Sequence, residues 1–327
     1  MERIRRGEHV NPVLGAVLTA ATPVVRLGMW RRMRQPRVRI DARVISFGNL
    51  TVGGTGKTPA VVERALAEMA AGRKVAVLTR GYGSGRRRGI EVVAAGEERV
   101  GKRDWLGDEP ELIARRVPGV VIVRGADRAA AARAAVAEYG CDTLILDDGY
   151  QYLRLERDEN VLLIDATNPF GNGRLLPRGI LREPLPAMAR ATHIVLTRCD
   201  QTSGLDALIE KLGGLAPNVP IRRTRHKADS LWRVHDDSAV PLDELRGREA
   251  AAVCAIGNPE SFFKILEDLG AHLTQRLAFR DHADIPPGAI PSSGLVVTTE
   301  KDAVRMRKAA DNVVALRISL EDMPSQE

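Results

Sequence analysis

The chain has 327 residues, 44% of them hydrophobic and 28% charged, which permits a folded core and is long enough for two domains. Its three cysteines, Cys141, Cys199 and Cys254, are widely separated, which argues against a disulfide framework or a paired-cysteine zinc site and points to a reducing, cytoplasmic compartment. Aromatic residues make up only 4%, leaving few stacking platforms for single-stranded nucleic acid, so no nucleic-acid partner is expected.

The net charge of +7 is local. Residues 1–39 hold nine arginines against two acids, and the rest of the chain balances at 40 basic and 40 acidic residues. Between the arginine clusters, Val10, Val13, Leu14, Val17, Leu18, Ala21, Val24 and Val25 follow helical spacing, and nothing from Val10 to Val25 is charged. That run is shorter than the roughly 20 residues needed to span a bilayer, and Pro23 should bend its last turn. The arginines that follow it also argue against a cleaved signal peptide. Two readings remain: a helix lying in a membrane interface, with Trp30 as an anchor and arginines meeting anionic head groups, or a helix packed on the core beside a solvated basic linker.

Beyond Ile40, short apolar runs alternate with helical stretches, the pattern of a mostly parallel sheet covered on both faces. Strands are expected at 43–47, 74–79, 120–123, 142–146, 161–164 and 193–196, with helices at 60–71, 109–116 and 126–139. The pattern weakens around 214–248, where 230–234 is a candidate strand of a hairpin linker. It then resumes with strands at 251–256, 294–298 and 312–316 and helices at 261–269 and 301–309. The implied organisation is an N-terminal helix and basic linker (1–40), a P-loop NTPase-like α/β domain (41–220), and a linker with a smaller C-terminal α/β domain (221–327).

The segment Ser46 to Thr58 says most about chemistry: an apolar strand enters a glycine-rich loop that ends in Gly56-Lys57-Thr58. Such a loop turns backbone N–H groups onto phosphate oxygens, its lysine reaches the outer phosphates, and its threonine hydroxyl ligates magnesium. Thr51, Gly53, Gly54, Thr55, Gly56, Lys57 and Thr58 are therefore the candidate nucleotide contacts, although Thr51 stands where the usual pattern has its first glycine. Thr143 to Asp148 is an apolar strand ending in two aspartates, and Asp147 and Asp148 are candidate magnesium ligands or, alternatively, caps of the next turn. Asp108, in Gly107-Asp108-Glu109-Pro110, is either the cap of a helix or a base for a substrate hydroxyl. His282 gains a role only if the second domain brings it to the cleft. Thr197-Arg198-Cys199-Asp200 sits where GTPases carry a guanine-reading motif, with arginine in place of lysine. Arg86-Arg87-Arg88 marks an exposed basic loop.

Taken together, these blocks resemble the tetraacyldisaccharide 4′-kinases, the lipid A kinases of Gram-negative bacteria. The resemblance is carried by Gly48 to Pro59, Thr79-Arg80-Gly81-Tyr82-Gly83, Gly107 to Pro110, Leu146-Asp147-Asp148-Gly149-Tyr150-Gln151, Gly171 to Pro177, Leu181-Arg182-Glu183-Pro184, Arg280-Asp281-His282 and Thr299-Glu300-Lys301-Asp302. It implies transfer of the γ-phosphate of ATP, with Mg2+, to the 4′-hydroxyl of a tetraacylated glucosamine disaccharide 1-phosphate at the cytoplasmic face of the inner membrane. It further implies that Asp108 acts with His282 to activate the hydroxyl, while Lys57, Thr58, Asp147 and Asp148 manage phosphates and metal. One position departs from the family pattern: Tyr152 stands where a histidine is usual. A regulatory GTPase, a partner-binding membrane ATPase and a kinase for a soluble sugar or coenzyme are the competing readings.

Overall fold

A computed structural model describes residues 12–80, 89–94, 107–306 and 309–324. Arg3, Arg5, Arg6, Val10, the Arg86 to Arg88 loop and the Gly81-Tyr82-Gly83 block lie outside the described residues. The chain opens with two short helices, α1 (Pro12–Ala20) and α2 (Thr22–Met33). The single apolar helix expected at 10–25 is thus broken at Ala21. Pro23 has no N–H to continue the α1 ladder but is well tolerated in the first turn of a new helix, and α2 runs on through the arginines instead of ending before them.

The alternating region follows as β1 (Arg43–Gly48), α3 (Lys57–Ala70), β2 (Val75–Thr79), β3 (Glu91–Ala94), α4 (Asp108–Arg116), β4 (Val121–Arg124), α5 (Arg128–Tyr139), β5 (Thr143–Leu146), β6 (Glu159–Asp165), β7 (His193–Thr197) and α6 (Leu205–Leu215). The second half contains β8 (Ile221–Arg233), β9 (Ala239–Val240), β10 (Glu249–Cys254), α7 (Pro259–Asp268), β11 (His272–Ala278), β12 (Leu295–Thr299), α8 (Glu300–Ala303) and β13 (Val313–Asp322).

All strands join one sheet in the order β11-β10-β12-β13-β8-β7-β6-β1-β5-β2-β4-β3, with β9 beside β8. Pairing is parallel throughout except at β3–β4, β8–β9 and β8–β13. The central strands are apolar on both sides because both sides are covered. Ile45, Val77 and Ile145 pack with Val61 and Ala65 of α3 on one face, while Val44, Leu78 and Leu144 pack with Ala132 and Ala135 of α5 on the other. The second half has its own core, in which Ala252, Val297 and Val314 meet Phe262 and Leu266 of α7. The helices start where local chemistry permits. Asp127 accepts from the N–H groups of Ala129 and Ala130 at the head of α5, and Asn258 accepts from Ser261 N at the head of α7.

Several elements differ from the sequence expectation. The 230–234 strand is the tail of the 13-residue β8, whose charged residues disguise it. Arg225 and Lys227 pair with Glu321, and Arg222 with Asp322, so the charges of β8 are matched by those of β13. For the same reason β13 extends well past residue 316. The helix expected at 301–309 is a single turn, α8. The buried Asp302 carboxylate accepts from Ala255 N and the Thr299 hydroxyl, pinning that turn, and the chain leaves through i→i+3 bonds at Arg305 and Met306. Strands β3 and β11 and helix α6 had no counterpart in the pattern. β11 is an edge strand with mostly exposed residues, so it lacks the apolar alternation by which a strand is recognised. The expected boundary at 220/221 falls at the head of β8, which pairs with β7 through Ile221 to Arg223 and with β13 through the rest of its length.

Candidate active site

β1 lies between β6 and β5 in the middle of the sheet, and the glycine-rich loop leaves its C-terminal end, the position where open parallel sheets hold ligands. Gly56 is the N-cap of α3 in a left-handed conformation (φ 78°). A Cβ there would lie 3.0 Å from His226 Nε2 and 3.2 Å from Thr197 Cγ2, so both conformation and space demand glycine. The loop opens onto a cavity of about 1220 Å3 whose walls come from both halves of the chain and from α2, through Val25 and Met29.

On the phosphate side, Lys57 Nζ donates to Asn49 Oδ1 at 3.2 Å and lies 3.7 Å from Asp148 Oδ1. Arg182 Nη1 reaches both Asp148 oxygens, at 2.9 and 2.7 Å. Burial opposes ionisation of Asp148, but Lys57 and Arg182 outweigh it and hold the carboxyl below the usual carboxylate range. Asp147, almost fully buried behind it, behaves oppositely: burial foremost, then Glu109 and Asp148, push its carboxyl up to about 7. Gly53 to Thr58 and Asp148 line the cavity, whereas Thr51 is buried in a bridge to Leu181.

Asp108 is the first residue of α4, and the cap position belongs to Gly107, so the capping alternative for Asp108 does not hold. Its carboxylate faces the second half. Asp108 Oδ2 is 3.8 Å from His282 Nδ1 and 3.4 Å from Arg305 Nη1. His282 takes a positive φ of 61°, with its N–H donating to Ala255 O, and its Nε2 lies 3.2 Å from Lys301 Nζ. Lys301 in turn is 3.4 Å from Glu109 Oε1. The arrangement sets an anion cradle with a lysine and an ionised carboxylate opposite a carboxylate–imidazole pair in one cleft, which suits transfer of a phosphoryl group to a hydroxyl.

A family model described as Tetraacyldisaccharide-1-P 4'-kinase matches residues 13–326. The chain belongs to that kinase family. It is 42% identical over 303 residues to a tetraacyldisaccharide 4'-kinase of Anaeromyxobacter dehalogenans, covering 88% of this chain and 79% of that one. It is 38% identical over 309 residues to one of Pelobacter propionicus, covering 90% and 82%. Among solved structures it is similar to a crystal structure of LpxK from Aquifex aeolicus in complex with ATP, at TM-score 0.73 and 29% identity, over 93% of this chain and 95% of that one.

The structure brings Lys57, Asp148, Asp108 and His282 to the cleft walls, and with them residues to which sequence reasoning gave no role. Arg182 and Lys301 stand in quoted blocks, so the signal was present without the partner. Arg198 was weighed as part of a guanine-reading motif. It is instead 6% exposed and committed to Asp165, Gly54 O and Ser261, so the GTPase reading loses its residue. Tyr152, at the unusual position, serves the fold of α5. Its hydroxyl accepts from Ala129 N at 3.1 Å and donates to Asp127 Oδ1 at 2.8 Å, while its side also borders the cleft. His226 had no signal at all. Burial, with Arg198 nearby, holds its imidazole well below the ordinary value, so it stays neutral, and its buried Nε2 has no hydrogen-bond partner among the described residues.

Proposed function

We propose that the chain transfers the γ-phosphate of ATP to the 4′-hydroxyl of a tetraacylated glucosamine disaccharide 1-phosphate, with Asp108 as the base and His282 orienting it. The observation that carries this reading is the facing of Lys57 and Asp148 by the Asp108–His282 pair across one cavity. Asp108 takes the hydroxyl proton as the oxygen–phosphorus bond forms and the bond from phosphorus to the β-phosphate oxygen breaks. Lys57 and the loop N–H groups offset the charge carried by the equatorial and leaving oxygens. Arg305 and His282 hold the Asp108 carboxylate toward the cleft, and Lys301 keeps the imidazole in place.

The Thr58 hydroxyl and the Asp148 carboxylate are hard oxygen donors of the kind magnesium takes, with Asp147 behind them. Held by Thr58 and Asp148, Mg2+ would neutralise charge that develops on the transferred phosphoryl group. Among the described residues no group of three His, Cys, Asp or Glu side chains is placed to hold a metal ion by itself.

Among the described residues no helix is long and apolar enough to cross a membrane. The exposed side chains of Val17, Val24, Leu27, Trp30 and Met33 on α1 and α2, together with the arginines of residues 1–39, support peripheral binding to anionic lipid at the cytoplasmic face of the inner membrane. Val25 and Met29 of the same α2 border the cleft, so a helix docked on lipid would lie beside the site.

The test is to incubate the protein in mixed micelles with labelled ATP, magnesium and the tetraacyl disaccharide 1-phosphate. Label should enter the lipid, and Lys57→Ala should abolish it while the fold is retained. ATP hydrolysis with an unlabelled lipid would sink the acceptor assignment, and full activity in Lys57→Ala would remove the loop from the mechanism.

A further inference from the structure

We propose that Arg198 is a positioning residue that aims the phosphate loop and couples it to the C-terminal half of the chain. β7 ends at Thr197, whose hydroxyl donates to Thr55 O at 3.2 Å. Arg198 follows in a left-handed conformation (φ 57°), which turns its side chain back under the loop, where Nη1 donates to Gly54 O at 3.2 Å. Two successive loop carbonyls are therefore tethered from behind. Because a trans peptide unit is planar with its C=O and N–H on opposite sides, holding Gly54 O and Thr55 O directs the N–H groups of Thr55 and Gly56 away from the tether. Those are the amides a phosphate needs, and Gly54 to Gly56 line the cleft.

The same guanidinium reaches the other half. Arg198 Nη1 pairs with Asp165 at the end of β6, and Nε donates to Ser261 Oγ, in the first turn of α7, at 3.1 Å. A second bridge starts from the same aspartate. Asp165 Oδ1 accepts from both N and Oγ1 of Thr167, and Asn258, the cap of α7, donates to Thr167 Oγ1 at 3.4 Å. The loop also approaches the turn before α7 closely, since a Cβ on Gly257 would lie 3.1 Å from Gly54 N. The turn that precedes α7 follows β10, and Ala255 in it accepts from the N–H of His282. Arg198 thus stands between the element that binds phosphate and the element that presents the imidazole. Its planar fork fills three acceptors at fixed angles, which a lysine ammonium cannot reproduce.

The turnover part of this inference rests on the kinase reading; the nucleotide-binding part does not. The test measures ATP dissociation constants by calorimetry on the full chain, and KM and kcat in the micelle assay. Arg198→Ala should weaken ATP binding by about tenfold or more, the scale of a lost buried hydrogen bond to a charged group, and should lower kcat as well. Arg198→Lys should recover part of the ATP affinity but not kcat. Ser261→Ala, which cuts only the arm to α7, should leave ATP affinity within about twofold and lower kcat by about fivefold, on the scale of one neutral hydrogen bond. Wild-type ATP affinity in Arg198→Ala would overturn the tether, and wild-type kcat in Ser261→Ala would overturn the coupling. Should Arg198→Ala not fold, Thr197→Val removes one loop tether at constant volume: a raised dissociation constant supports the proposal and an unchanged one overturns it. Loss of ATP affinity in Arg198→Ala in a protein that never labels the lipid would support the tether while refuting the acceptor assigned above.

Discussion

The two halves of the sheet divide the work unequally. In the first half β1, β2 and β5 are buried on both faces between α3 and α5, and the loop proposed to hold phosphate grows from β1 in the middle of the sheet. In the second half the edge strand β11 is largely open to solvent, and His282 stands half-exposed on a turn. Burial fixes the groups that must keep a rigid shape around phosphate oxygens, where a small misplacement is costly. The group proposed to assist the acceptor, His282, sits on the less enclosed half, where it borders the cleft. Under the proposed function, the comparison teaches that rigidity serves the nucleotide side and access the acceptor side.

Asp108→Asn tests that division with the largest effect. It removes the proposed base at the border between halves and should lower kcat by about 10²–10⁴-fold with little change in ATP affinity, measured by steady-state kinetics and calorimetry. A loss confined to ATP affinity would make Asp108 a nucleotide or metal ligand. His282→Ala should follow the same pattern with a smaller loss of kcat, because Asp108 retains Arg305 as a partner. In stability, Ile145→Ala in the enclosed half should cost about 2–5 kcal/mol in denaturant titration, as a fully buried aliphatic does. Leu277→Ala in β11 should cost about 1 kcal/mol or less, since the side chain is only half-buried. Equal costs would erase the contrast.

The smallest effect concerns pH. His226 keeps a depressed value in the folded protein because it is buried beside Arg198, whereas unfolded it titrates normally. Below about pH 6.5 the unfolded chain therefore binds a proton that the folded chain refuses, and stability falls as pH falls, by at most about 1.4 kcal/mol per pH unit for one group. Above that pH its contribution is constant. Melting temperatures measured between pH 7.5 and 5.5 should decline less steeply in His226→Gln than in the unsubstituted chain, and parallel declines would refute the assignment.

Where one signal was enough, the fold and site were legible in the residues. The apolar strands 43–48 and 143–146, the Gly-Lys-Thr loop and the paired aspartates announce themselves because burial on both faces and phosphate chemistry each demand a narrow set of residues. All of β8 before residue 230 escaped recognition because its charges are satisfied by a strand about ninety residues later, a partner no local window contains. Arg198 was visible but misread. A buried guanidinium and a base-reading residue look alike until the position of Asp165 is known. His226 carries no pattern of its own, since what singles it out is the proximity of Gly56.

β8 has one more consequence. It gives its first residues to β7 and the rest to β13, so a single run of backbone belongs to both lobes. Neither lobe is therefore an interchangeable module. A chimera that recombines the nucleotide lobe of this chain with the acceptor lobe of a relative must carry β8 and β13 as a matched pair, with Arg222 facing Asp322 and Arg225 and Lys227 facing Glu321. A crossover placed at residue 220, where the pattern of elements invites it, would join strands whose charges were selected against different neighbours.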